Sequence, residues 1–89
     1  VRVTWDPSKA ASNLVKHGVA FDRAEGFEWQ TALVQSDIRF DYPEPRLSAL
    51  GAIGDRLYFL VYTIEHRSTR IISLREANRR EVKRYASES

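Results

Sequence analysis

The longest apolar run in the chain is Leu57-Tyr58-Phe59-Leu60-Val61-Tyr62-Thr63-Ile64. A run of this length suits a strand and falls short of a helix, and β-branched and aromatic residues dominate it. Alternation sends Leu57, Phe59, Val61 and Thr63 to one face and Tyr58, Leu60, Tyr62 and Ile64 to the other. A strand that is apolar on both faces belongs inside a sheet covered on both sides.

The patterns around this run predict the other elements. Val1–Trp5 alternates and reads as an edge strand. Asp6-Pro7 opens a helix, with Asp as N-cap and Pro at the first helical position, and Gly18 ends it near His17. Along that helix Ala10, Ala11, Leu14 and Val15 share one side. Lys9, Asn13 and Lys16 share another, with His17 beside them. Phe21-Asp22 begins a second helix, which Asp22 and Glu25 would cap and which would pack through Ala24, Phe27 and Trp29. Trp29 reads as a core residue before it reads as a platform for a stacked base.

Strands follow at Thr31–Ser36, Leu47–Ile53 and Arg70–Leu74, with a loop over Asp37–Arg46, a tight turn at Gly54-Asp55-Arg56 and a polar reversal at Glu65–Thr69. Ser73-x-x-Glu76 reads as the capping box of a last helix, from about Leu74 to Ala86. Its buried face would be Leu74, Ala77, Val82 and Tyr85. Arg75, Arg79 and Lys83 would form a stripe to one side, with Arg80 and Arg84 pointing elsewhere. The predicted fold is α+β in one domain over residues 1–89: two N-terminal helices, an antiparallel sheet of about four strands, and a C-terminal helix.

Composition narrows the class. At 89 residues the chain has a thin core. It has no cysteine, which removes disulfides and zinc–thiolate sites. No apolar run reaches the roughly 18 residues of a membrane span and no signal-like start is present, so a soluble, cytoplasmic protein is expected. The net charge is only +2, but seven of the fourteen Lys and Arg lie between Arg67 and Arg84. A basic end suits an anionic partner, and it equally suits a solvated helix face.

Candidate chemistry is limited by what is missing. The two histidines, His17 and His66, have no close acidic or histidine cluster in sequence. There is no nucleophile elbow and no glycine-rich phosphate loop. The remaining groups suit cleavage of a phosphodiester without metal: a base for a 2′-hydroxyl, an acid for the leaving oxygen, and cations on the phosphate. Such a reaction cuts RNA and spares DNA. The groups available are Lys9, His17, Glu65, His66, Arg67, Arg70 and the basic stripe from Arg75 to Arg79. Each has a structural alternative: His17 as a helix C-cap, Lys9 as a solvated residue, Glu65 and Arg67 as a surface pair. Strict alternation also puts Arg70 and Arg75 on opposite faces, so they converge only if the strand ends early.

Two stretches carry a resemblance. Trp5-Asp6-x-x-Lys9-x-x-x-Asn13-x-x-Lys16-His17-Gly18-Val19-x-Phe21 resembles the opening signature of the BrnT toxin family. Arg70-Ile71-Ile72-Ser73-x-Arg75-x-Ala77, followed by Arg80-Glu81 and Tyr85, resembles its closing signature. Arg46 before a strand and Gly51-x-x-Gly54-x-Arg56 fit between them. One departure is Glu65-His66-Arg67-Ser68-Thr69, where the family has an Arg just after the central strand; Arg67 is the nearest match.

The resemblance implies a type II toxin–antitoxin toxin with a RelE-like fold, a ribonuclease that needs no metal or other cofactor and stops translation. On the ribonuclease reading, Lys9, His17, Glu65, Arg67 and Arg70 are the expected catalytic residues, and Asn13, Lys16, Arg75, Arg79 and Lys83 the expected RNA contacts. The implied partners are the RNA substrate and an antitoxin with a ribbon-helix-helix DNA-binding part, with operator DNA reached only through that antitoxin and no membrane involved. Two other readings stand beside it. One is an inactive binding module of the same fold, engaging an acidic or nucleic-acid partner through its basic face. The other is a regulator that binds duplex DNA itself.

Overall fold

The computed structural model describes residues 2–37, 41 and 43–88. One five-stranded sheet organises it, in the order β1-β5-β4-β3-β2. The strands are β1 (Val3–Trp5), β2 (Leu33–Ser36), β3 (Leu47–Ile53), β4 (Arg56–Glu65) and β5 (Ser68–Glu76), and the helices are α1 (Pro7–His17) and α2 (Arg79–Glu88). β4 holds the central place the apolar run demands, and Tyr58 through Thr63 are buried on both of its faces. The sheet is mixed rather than wholly antiparallel, because β1 joins β5 in parallel, Val3 to Trp5 against Thr69 to Ile71.

α1 forms as its local signals require. The Asp6 carboxylate accepts from the Ser8 N–H at 2.9 Å and from the Ser8 hydroxyl at 3.1 Å. At the other end Gly18 takes a left-handed φ of 71° and its N–H donates to Leu14 O at 2.8 Å. The apolar stripe, however, does not enter the core. Ala10 packs against it, but Leu14 is 50 % exposed and Val15 89 %. Asn13 takes the inward position instead.

The second N-terminal helix is not an α-helix. Residues Phe21–Gly26 and Trp29–Thr31 form two short 3₁₀ segments, and neither has a side-chain cap, so Asp22 and Glu25 make no capping box. The reason lies in the spacing of the core residues. Phe21, Ala24 and Phe27 are all buried at intervals of three, and a 3₁₀ turn places every third residue on one side. Trp29 joins this core as anticipated, edge-on to Phe27 at 4.8 Å and to Tyr62 at 5.1 Å.

β3 and β4 form the anticipated hairpin around Gly54-Asp55, with Arg56 already in the strand opposite Ile53. Gly51 on β3 is required by a close approach, since a Cβ there would meet Phe27 Cζ at 2.7 Å. β4 and β5 are joined by a two-residue turn in which both His66 (φ 51°) and Arg67 (φ 64°) are left-handed. Strand twist favours that geometry, although neither residue is the Gly or Asn that adopts it cheaply. Part of the predicted loop, residues 38–40 and 42, lies outside the described residues.

The end of the chain differs most from the pattern reading. β5 runs on to Glu76, because Arg75 and Glu76 still pair with Phe59 and Tyr58. Ser73 and Glu76 are therefore strand residues. The capping box sits five residues later: the Asn78 side-chain oxygen accepts from Glu81 N at 2.8 Å, and Glu81 accepts from Asn78 N at 2.9 Å. Leu74 is fully buried in β5 rather than on the helix, and Val82 is 44 % exposed. Ala77 and Tyr85 do pack inward, against the smaller core of Leu50, Phe59 and Val61. Arg75 belongs to β5, so the proposed stripe with Arg79 and Lys83 does not exist as one helical face.

Candidate active site

A bulge in β5 decides which charges meet. Val61 pairs with Ser73 and Tyr62 with Ile71, which leaves Ile72 as an extra residue. One extra residue reverses the alternation on either side of it. Arg70 faces with its partner Thr63, and Arg75 with its partner Phe59, so both arginines lie on the same face although the strand does not end early. Arg75 lies 4.6 Å from the Phe59 ring centre and grips Glu81 with both nitrogens, at 2.9 and 2.8 Å. Burial would raise the Glu81 carboxyl, but the bonds from Arg75 and Asn78 and the charges of Arg75 and Arg84 hold it below its ordinary value.

Around Arg70 a cleft of about 320 Å³ is lined by Lys9, Glu44, Arg46, Thr63, Glu65 and Ile72. α1 supplies Lys9, the end of β4 supplies Thr63 and Glu65, and the segment entering β3 supplies Glu44 and Arg46. The Thr63 hydroxyl pins that last segment by donating to Pro45 O at 2.7 Å. Within the cleft Arg70 Nη1 lies 3.8 Å from Glu65 Oε1, and Arg46 Nε donates to Glu44 Oε1 at 3.1 Å. Asp6 is close by. The Ser8 N–H and hydroxyl hold its carboxyl below the usual value, helped by the charges of Arg70 and Lys9.

A second cleft of about 320 Å³ adjoins the first. Ser8, Ser12, Asn13, Lys16, His17 and Ser73 line it, and Lys9 and Ile72 are common to both. His17 is half-buried there. Burial, then the neighbouring charges of Lys16 and Arg75, push its imidazole below the ordinary histidine value and favour the neutral ring.

Of the residues anticipated as catalytic, Lys9, Glu65 and Arg70 therefore meet in one cleft, and His17 stands in the adjoining one. Arg67 does not line either; it sits exposed at the hairpin tip. Among the anticipated RNA contacts Asn13 and Lys16 line the second cleft, whereas Arg79 and Lys83 border a separate hollow with Asn78 and Arg80. Asn13 is 6 % exposed, and its side chain is occupied. The amide donates to Val19 O at 3.0 Å and Leu74 O at 2.7 Å, and its oxygen accepts from Leu74 N at 3.1 Å. It pairs with β5 just where β1 stops, so it is a structural residue. Glu44, Arg46 and Thr63 escaped the pattern reading as site residues; only the place of Arg46 in the family signature pointed to one of them.

A small α+β protein with cations and a carboxylate converging on an open cleft has the equipment to bind and process a phosphate ester. The family comparison is more specific. Residues 5–81 match the model of the family described as "Ribonuclease toxin, BrnT, of type II toxin-antitoxin system", and the chain belongs to that family. It is also similar to the crystal structure of the Brucella abortus ribonuclease toxin, BrnT, with a TM-score of 0.66 and 26 % identity, over 89 % of this chain and 99 % of that one. No protein of curated function matches the chain.

Proposed function

We propose that the chain is a metal-independent endoribonuclease that stops translation until an antitoxin neutralises it. The observation that carries this reading is the convergence of Lys9, Arg46, Glu65 and Arg70, from four separate segments, on one cleft. In the proposed reaction Glu65 takes the proton of the 2′-hydroxyl as that oxygen attacks the phosphorus. Arg70, with Lys9 and Arg46, carries the charge that builds on the phosphate oxygens. The bond to the 5′-oxygen breaks, and Lys9 or His17 returns a proton to it. The products are a 2′,3′-cyclic phosphate and a 5′-hydroxyl. No group of three or more His, Cys, Asp or Glu placed to hold a metal occurs among the described residues. Family membership supports an antitoxin partner. We assign it a ribbon-helix-helix DNA-binding part and a mode of action that covers the Arg70 cleft, in the cytoplasm where both RNA and operator are found.

The test is RNA cleavage by the purified chain in EDTA, with Arg70→Ala alongside, on free RNA and on translating ribosomes. Cleavage that survives chelation and falls about 10²–10³-fold in the variant is expected, the range for loss of one preorganised charge donor. Absence of cleavage on both substrates would sink the reading and favour an inactive binding module.

A further inference from the structure

The two adjoining clefts differ in one respect that matters to a phosphate. The one around Arg70 contains carboxylates, Glu44 and Glu65, among its cations. Among the described residues the one along α1 is lined by none: its polar lining is Ser12, Lys16, His17 and Ser73, beside the shared Lys9, the occupied Asn13 and Ser8, which is bonded to Asp6. A phosphate in the first meets both a charge to stabilise it and a base to start the reaction. A phosphate in the second meets the Lys9 and Lys16 charges, the His17 ring and the Ser12 and Ser73 hydroxyls, a set of donors that holds an anion. Lys9 and Ile72 line both clefts. Lys9 and Lys16 are seven residues apart on one helix, about 10 Å at 1.5 Å per residue. Flexible lysine side chains at that separation reach neighbouring phosphates of one strand.

We infer that the α1 cleft is a second phosphate subsite, which holds the phosphate next to the scissile one through Lys16, His17 and the hydroxyls of Ser12 and Ser73. This rests on the ribonuclease reading and extends it. Among the described residues no Phe, Tyr or Trp lines either cleft.

The experiment uses uncleavable 2′-O-methyl oligonucleotides at low salt: dinucleotides with one phosphate and trinucleotides with two, made with uracil, cytosine or adenine. The second phosphate is expected to tighten binding roughly 10–100-fold, the range of a hydrogen bond to a charged group. Lys16→Ala, at an exposed position that leaves the fold intact, should weaken the trinucleotide more than the dinucleotide and remove most of that gain. Equal binding of one and two phosphates overturns the subsite while leaving the ribonuclease reading in place. A gain that survives Lys16→Ala puts the second phosphate elsewhere and also overturns it. If no oligonucleotide binds, the subsite is lost, and the cleavage assay decides the ribonuclease reading separately.

Discussion

The two faces of the sheet come from the same strands and are built to different ends. One face carries Ala49, Ile53, Tyr58, Leu60, Tyr62, Ile71 and Leu74 into the larger core, closed by the 3₁₀ segments and by Val19, Phe21 and Ala24. The other gathers Leu50, Phe59 and Val61 into a smaller apolar cluster, under Ala77 and Tyr85. Beyond that small core the second face belongs to Thr63, Arg70, Ser73 and Arg75. β4 alternates regularly between the two faces, so their difference lies in what covers each of them. Where cover ends, a strand can present charge to solvent at no burial cost, and the candidate site lies there. Stability and chemistry should therefore separate by face, and substitutions test that separation.

The largest effect is expected on the covered face. Leu60 is fully buried on the central strand, and Leu60→Ala should cost about 2–5 kcal/mol, read as a lower urea midpoint with activity lost alongside the fold. Arg70→Ala should do the reverse. It should cost about 2.7–4 kcal/mol of transition-state stabilisation in cleavage, with a thermal midpoint close to that of the parent. A large drop in the midpoint would show that the two faces are not independent.

Asn13 lies between these cases, on a helix that lines the site but with its side chain in the core. Asn13→Ala leaves the Leu74 N–H and C=O without their side-chain partner, at about 1–3 kcal/mol. Hydrogen exchange at the Leu74 amide should quicken. Unchanged exchange would break the assignment of Asn13 as a structural residue.

The Arg75–Glu81 pair ties α2 to the open face and makes part of the stability depend on pH. The Glu81 carboxyl lies below its ordinary value in the folded chain, so the unfolded chain binds the proton first on acidification. The contribution is thus complete above the ordinary carboxylate range, near pH 4–5, and is lost as pH falls through and below it. Glu81→Gln should lower stability at neutral pH by about 1–2 kcal/mol and flatten that acid limb, measured by denaturant titration from about pH 3 to 7. An acid limb of unchanged slope would remove Glu81 as its source.

The smallest effect is expected at the hairpin tip. Replacing His66-Arg67 by Asn-Gly supplies residues that accept positive φ and should raise stability by about 1 kcal/mol. Cleavage should be retained, because Arg67 does not line the Arg70 cleft. A tenfold or larger loss of cleavage would return Arg67 to the site.

Much of this molecule was legible where the signal is local. The Asp6 cap, Pro7 and Gly18 bound α1 because their bonds close within a few residues. The β3–β4 hairpin follows from two apolar runs and a turn. Trp29 was readable as core because few surroundings suit an indole better. The family was legible too, since its signatures lie at both ends of the chain and in order.

Tertiary structure decided the rest, and for one physical reason: each remaining choice depends on a partner distant in the chain. Two capping boxes were available, Ser73 with Glu76 and Asn78 with Glu81, and pairing of Arg75 and Glu76 with β4 selected the later one. β1 finds its place only against residues 69–71, and Asn13 turns inward only because β5 has an open edge beyond β1. The bulge at Ile72 is invisible in a strand read alone, since it is a mismatch of two strands, yet it brings Arg70 and Arg75 to one face. The sequence by itself determined the helix-forming caps, the central strand, the family and most of the chemically useful residues. Which of those residues meet was settled by strand register and by the limits of apolar cover, because both are properties of segments packed together.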